Sequence, residues 1–93
     1  MDSEPLDSGD ARKLIRSILA SGHFRESRHL LEEMKKDGMS RGDVLNVLRA
    51  GLITEPAERK NGTWRYRVHT QGFCVVVSFR SETTMVGVTT WKK

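Results

Sequence analysis

Asn61-Gly62-Thr63-Trp64-Arg65-Tyr66-Arg67-Val68-His69-Thr70-Gln71-Gly72-Phe73-Cys74-Val75-Val76-Val77-Ser78-Phe79-Arg80 is the stretch on which the fold turns. Asn-Gly is a strong two-residue hairpin signal, because both central residues of a type I′ turn need positive φ. From Thr63 to Thr70 the residues alternate, with Trp64, Tyr66 and Val68 on one side and Arg65, Arg67 and His69 on the other. That period of two belongs to a strand with one face buried. Gln71-Gly72 turns the chain again, and Phe73 to Arg80 is apolar enough to be a central strand. A two-residue turn there predicts the pairs Thr70 with Phe73, His69 with Cys74, Val68 with Val75, Arg67 with Val76, Tyr66 with Val77, Arg65 with Ser78 and Trp64 with Phe79. Downstream, Ser81 to Thr83 makes a further turn and Thr84 to Trp91 closes the sheet. Upstream, Leu52 to Arg59 is an edge-strand candidate, since Pro56 is tolerable only at an edge or bulge.

Before Gly51 the period is helical. A first helix is expected from about Asp10 to Ala20, with Leu14, Ile15, Ile18 and Leu19 as its apolar stripe and Ser21-Gly22 as its stop. A second is expected from Glu26 to Asp37, with Leu30, Leu31 and Met34 inward and Gly38 after its end. A third starts at Ser40, where Ser40 and Asp43 are spaced as a capping box, and buries Val44, Leu45, Val47 and Leu48. Residues 1–9 are polar, acidic and aperiodic, and are expected to fray. The expected architecture is therefore one α+β domain over residues 10–93. Its three N-terminal helices pack on one face of a three- or four-stranded antiparallel sheet.

The length of 93 residues allows a single core. No apolar run approaches the roughly 18 residues of a membrane span, and no membrane partner is expected. The first thirty residues lack a secretory pattern, and the single cysteine excludes a disulfide framework. The cytoplasm is the expected compartment. Three histidines without clustered acids predict no metal site, and no cofactor motif is present.

Charge is unevenly placed. Residues 1–10 hold four acids and no base, while the rest carries 16 bases against 8 acids. After Pro56 there are seven bases and two acids. Such a body favours a polyanion as partner. By the predicted register Arg65, Arg67, His69, Ser78 and Arg80 share one sheet face, on which no acid is foreseen. Guanidinium forks match phosphate oxygens in pairs, so this face is the expected phosphate-binding surface. The alternative is an ordinary solvated sheet face. Cys74 is expected as a core filler, His23 as a loop residue, and Trp91, beside Lys92, as edge packing or a stacking platform.

The segment from His29 to Gly51 (His29, then Met34, Gly38-Met39-Ser40, Asp43-Val44, Leu48 and Gly51) resembles a bacterial and archaeal family with a His, four residues, a Met, then Gly-Ile-Ser and Asp-Val, followed by a small antiparallel sheet. That family is placed near the RelE, BrnT and MqsR toxins. Val76-Val77-Ser78-Phe79-Arg80 is also similar to an MqsR strand ending Ile-Val-Ser-Phe-Lys, with Tyr66 on the preceding strand.

The resemblance implies a RelE-like fold and a type II toxin that cuts mRNA without a metal, free or on the ribosome. It also implies an antitoxin partner of zinc-ribbon or helix-turn-helix type. It singles out His29, Tyr66 and Arg80 for catalysis; the basic sheet face adds Arg67, with Arg80, to hold the scissile phosphate and Arg65 and His69 as RNA contacts, and Lys92 beside Trp91 is a further expected RNA contact. His69 is an alternative acid or base, and His29 can equally bond Glu33 one turn on. A binding module that has kept the surface and lost catalysis is the competing expectation.

Overall fold

The computed structural model describes residues 1–93. Three helices, α1 (Ser8–Ser21), α2 (Arg28–Lys36) and α3 (Arg41–Ala50), accompany five strands: β1 (His23–Glu26), β2 (Glu58–Lys60), β3 (Thr63–His69), β4 (Phe73–Phe79) and β5 (Thr84–Lys92). The fold class is α+β. The strands form one sheet in the order β1-β5-β4-β3-β2.

The two turns behave as their residues require. Asn61 and Gly62 adopt φ of 52° and 80°, the positive pair a type I′ turn needs. β3 and β4 pair antiparallel as Tyr66↔Val77, Arg67↔Val76, Val68↔Val75 and His69↔Cys74. The Thr70 amide donates to the Phe73 carbonyl at 3.0 Å.

The expected three- or four-stranded antiparallel sheet is corrected to a mixed, five-stranded one. Residues 23–26, expected as loop and helix start, form β1, which runs parallel to β5 with His23↔Thr84 and Phe24↔Met85. Ser27 is the reason the second helix begins late. Its side chain caps the Leu30 amide at 3.0 Å and donates to the Val88 carbonyl at 3.1 Å. Val88 is the extra residue of a bulge, since Val76 pairs with Thr89 and Val77 with Gly87. The expected strand over residues 52–59 shrinks to β2 plus an isolated bridge between Leu52 and His69. Glu55 lies in the irregular stretch between that bridge and β2, and Glu58 begins β2, opposite Arg65.

α3 starts with the reciprocal box formed by Ser40 and Asp43. α1 begins two residues earlier than expected, capped by Asp7 rather than Asp10. The helices do not form a plain layer: α2 lies along β5, α3 crosses β3 and β4, and α1 packs on α3 and β1. Ile15, Ile18, Leu30, Met34, Val44, Val47 and Leu48 join Tyr66, Val68, Val75, Val77, Phe79 and Met85 in one core cluster. Removing such a side chain, as in Leu30→Ala, typically costs about 2–5 kcal/mol.

The acidic segment expected to fray is held. Met1 and Leu6 pack on the core. The Leu6 amide donates to the Tyr66 hydroxyl at 3.0 Å, and that hydroxyl donates to Glu4 Oε2 at 2.9 Å. Met1's ammonium meets Glu4 Oε1 at 3.0 Å. No helix is long and apolar enough to cross a membrane.

Candidate functional site on the open sheet face

Residues that alternate with the core-facing ones belong to the other face of the sheet. On β3 these are Arg65, Arg67 and His69, on β4 Cys74, Val76 and Ser78, and on β5 Thr89 and Trp91. No helix lies on this side. Cys74, Val76 and Ser78 are nevertheless buried, because long side chains from β3 and β5 lie over them. The Arg67 guanidinium sits 5.9 Å from the centre of the Trp91 ring, a cation–π approach.

The acid-free arginine surface is corrected. Glu55 and Glu58, carried by the segment before the Asn61-Gly62 turn, reach this face. Arg67 Nη1 lies 3.6 Å from Glu55 Oε2, and Nη2 lies 3.4 Å from Glu58 Oε2. His69 Nε2 lies 3.3 Å from Glu55 Oε1 and 2.9 Å from Thr54 Oγ1. Thr54 in turn donates to Glu55 Oε1 at 2.8 Å. On the ring's other side Lys93 Nζ stands 3.0 Å from Nδ1. An ammonium only donates, so Nδ1 is the acceptor and the ring's hydrogen sits on Nε2, pointing at Thr54 and Glu55.

These contacts act on the carboxyl. The Thr54 hydroxyl above all, joined by the charges of His69 and Arg67, holds Glu55 below the usual carboxylate range although partial burial pushes the other way. Beneath the network, burial pushes the Cys74 thiol up to about 11, which keeps it protonated and unreactive. Two polar atoms are closed to water and lack a partner, Arg65 Nε and Ser78 Oγ.

The seven residues singled out from sequence do not all converge. Arg67 and His69 meet through Glu55, and Arg65 lies beside them on the same face. Arg80 follows β4, exposed in the turn where its amide donates to Thr84. Tyr66 is 1% exposed on the helix side, its ring centre 5.0 Å from that of Phe79 and tilted 54° to it. Its hydroxyl is pushed up to about 12, chiefly by burial, and is occupied by Glu4 and Leu6. His29 is exposed on α2, with Glu33 at 3.9 Å, so the sheet separates it from Arg67. Lys92 pairs with Phe73 and its amide bonds Asp37 at the end of α2, which leaves the neighbouring Lys93 to reach His69.

Sequence reasoning passed over Glu55, Glu58, Thr54 and Lys93. For the acids one signal was present: two carboxylates flank Pro56 in a segment that must return the chain to the arginine-bearing strand. No three His, Cys, Asp or Glu side chains come together as a metal-binding group.

Fold and site together define a small α+β domain with an ionic network on an uncovered sheet face. Residues 27–92 match DUF4258, a domain of unknown function, and the chain belongs to that family. The matched span begins at the Ser27 cap and takes in Thr54, Glu55, Glu58, Arg67, His69 and Trp91, leaving out α1, β1 and Lys93. No curated protein and no solved structure matches the chain.

Proposed function

We propose that the chain is a metal-independent endoribonuclease whose site is Glu55, His69 and Arg67. The observation that carries this reading is the placement of an imidazole at 3.3 Å and a guanidinium at 3.6 Å from one carboxylate, Glu55, on an open face. RNA cleavage by its own 2′-hydroxyl needs these three types: a base, an acid and a cation for the crowded phosphate.

Glu55 takes the proton of the 2′-hydroxyl. The 2′-oxygen attacks phosphorus while Arg67 balances the charge gathering on the non-bridging oxygens. The bond from phosphorus to the 5′-oxygen breaks, and the Nε2 proton of His69 in its imidazolium form passes to that oxygen. Adding the second proton at Nδ1 requires Lys93 to swing away. Trp91 offers a stacking surface next to Arg67 for an unpaired base, and Arg65 and Arg80 supply further positive charge along the strand direction.

This reading keeps Arg80 from the resemblance to RelE-like toxins and Arg67 from the basic sheet face, and moves the acid–base work from His29 and Tyr66 to His69 and Glu55. The RelE-like fold, a bacterial cytoplasmic setting and an antitoxin partner encoded nearby are part of the proposal.

A second reading, a nucleic-acid- or protein-binding module without cleavage, draws on a specific feature: Arg67 is already held by two carboxylates, which must release it before a phosphate enters. Incubation of a long RNA with the protein, with and without ribosomes, separates the two. Cleavage by the wild type and loss of cleavage with Glu55→Gln are expected. RNA that binds but stays intact in both settings favours the second reading.

A further inference from the structure

A groove lies on the helical side, away from the open sheet face, where α1, α3 and β1 meet. Two neighbouring cavities of about 340 and 400 Å³ lie there, sharing Leu19 and Arg49 in their walls. Leu19 and Leu45 line the floor, half-buried, with Ile18 below them. The rim is Arg16 from α1, His23 from β1, and Arg41 and Arg49 from α3. No Asp or Glu lines either cavity. Arg41 is paired with Glu26, but Arg16 and Arg49 form no ion pair. After Asp10, α1 carries Arg12, Lys13 and Arg16 and no acid, so the field over the groove is positive along its length.

We infer that this groove docks an acidic amphipathic segment of a partner protein, leucine-type side chains on Leu19 and Leu45 and carboxylates on Arg16 and Arg49. Charge complementarity selects the sign, and an aliphatic floor flanked by bases fits the helix-in-groove manner of recognition. Protein is favoured over nucleic acid because the floor itself is aliphatic, Leu19 and Leu45. Of the two rings in the walls, Phe24 is half-buried against the core, its edge 2.9 Å from the position a Cβ on Gly87 would take, and His23 stands on the rim rather than the floor. Phosphates would find the arginines, but on the leucine floor bases would find no ring to stack on. The groove and the Arg67 face lie on opposite sides of the sheet, so the occupant leaves the open face uncovered.

The test uses the full chain and a short fluorescent peptide of Glu and Leu patterned as an amphipathic helix, with a Glu-only peptide and a single-stranded RNA as comparisons. Amide shifts at Leu19, Ala20 and Leu45 are expected with the Glu/Leu peptide. Arg16→Glu with Arg49→Glu, both exposed and expected to leave Tm unchanged, should weaken it about tenfold or more. The Glu-only peptide should bind about tenfold more weakly, as the floor contributes nothing to it. The inference is overturned if the shifts fall on Arg65–His69, if both peptides bind alike, if RNA displaces the peptide from the groove, or if no shift appears at about 1 mM peptide.

Discussion

Consider removing one oxygen atom, Tyr66→Phe. The ring keeps its place against Phe79, so the apolar packing is unchanged. The hydroxyl's two bonds disappear, one from the Leu6 amide at 3.0 Å and one to Glu4 at 2.9 Å. Glu4's side chain is 5% exposed, so its oxygen cannot simply turn to water. Leaving buried groups unpaired costs about 1–3 kcal/mol. With roughly 4–8 °C lost per kcal/mol for a domain of this size, Tm should fall by about 10 °C.

The pH dependence adds a signature. Burial raises the hydroxyl from 10.0 to about 12, so the folded state holds a proton that the unfolded chain releases in that interval. The wild type therefore loses stability as pH climbs from 10 through 12, by at most about 3 kcal/mol before solvent screening reduces it. The phenylalanine variant lacks this loss. Thermal unfolding followed by circular dichroism measures both effects. RNA cleavage at permissive temperature should survive, because Tyr66 and Arg67 face opposite ways. Unchanged Tm together with abolished cleavage would refute the placement and return Tyr66 to a chemical role.

Three further outcomes are expected. Gly87→Ala should destabilise by about 1–3 kcal/mol, since a Cβ there meets Leu30 at 2.6 Å and the Phe24 ring at 2.9 Å; denaturant titration measures it. Cys74 should resist a thiol reagent at pH 8 in the native protein and react once the chain is unfolded, because burial holds its thiol near 11. Glu55, held below the usual carboxylate range, should keep its basic form to lower pH than a free glutamate, so on the ribonuclease proposal the acid limb of kcat/KM should lie below that of an ordinary carboxylate; with Thr54→Val, which removes the main cause, the limb should move up.

Much of the sheet was legible because its two hairpin turns are written in residues with few other uses. Gln71-Gly72 sets the register of β3 on β4, and with it the side of every arginine on β3, while Asn61-Gly62 sets that of β2 on β3. The Ser40–Asp43 box was legible for the same reason. β1 was not. Four residues, His23-Phe24-Arg25-Glu26, are too short to show a period, and a parallel partner sixty residues away leaves no local trace. Nor could the pattern foresee that residues 1–7 would close over Tyr66, since a long-range bond from Glu4 has no sequence signature.

The site was half legible. Alternation placed Arg65, Arg67 and His69 together, and the Asn61-Gly62 turn sets Glu58 opposite Arg65, but Glu55 comes from an irregular segment, where neither period nor propensity says which way a side chain turns. His29 and Tyr66 entered through resemblance alone, and the sheet stands between each of them and Arg67.

Product analysis bears most directly on the ribonuclease proposal: RNA incubated with the protein in excess chelator, and the new 3′ ends identified. Ends carrying 2′,3′-cyclic phosphate, lost with His69→Gln and retained with His29→Gln, are the result expected from Glu55, His69 and Arg67. Intact RNA, or cleavage that survives His69→Gln and disappears with His29→Gln, contradicts it.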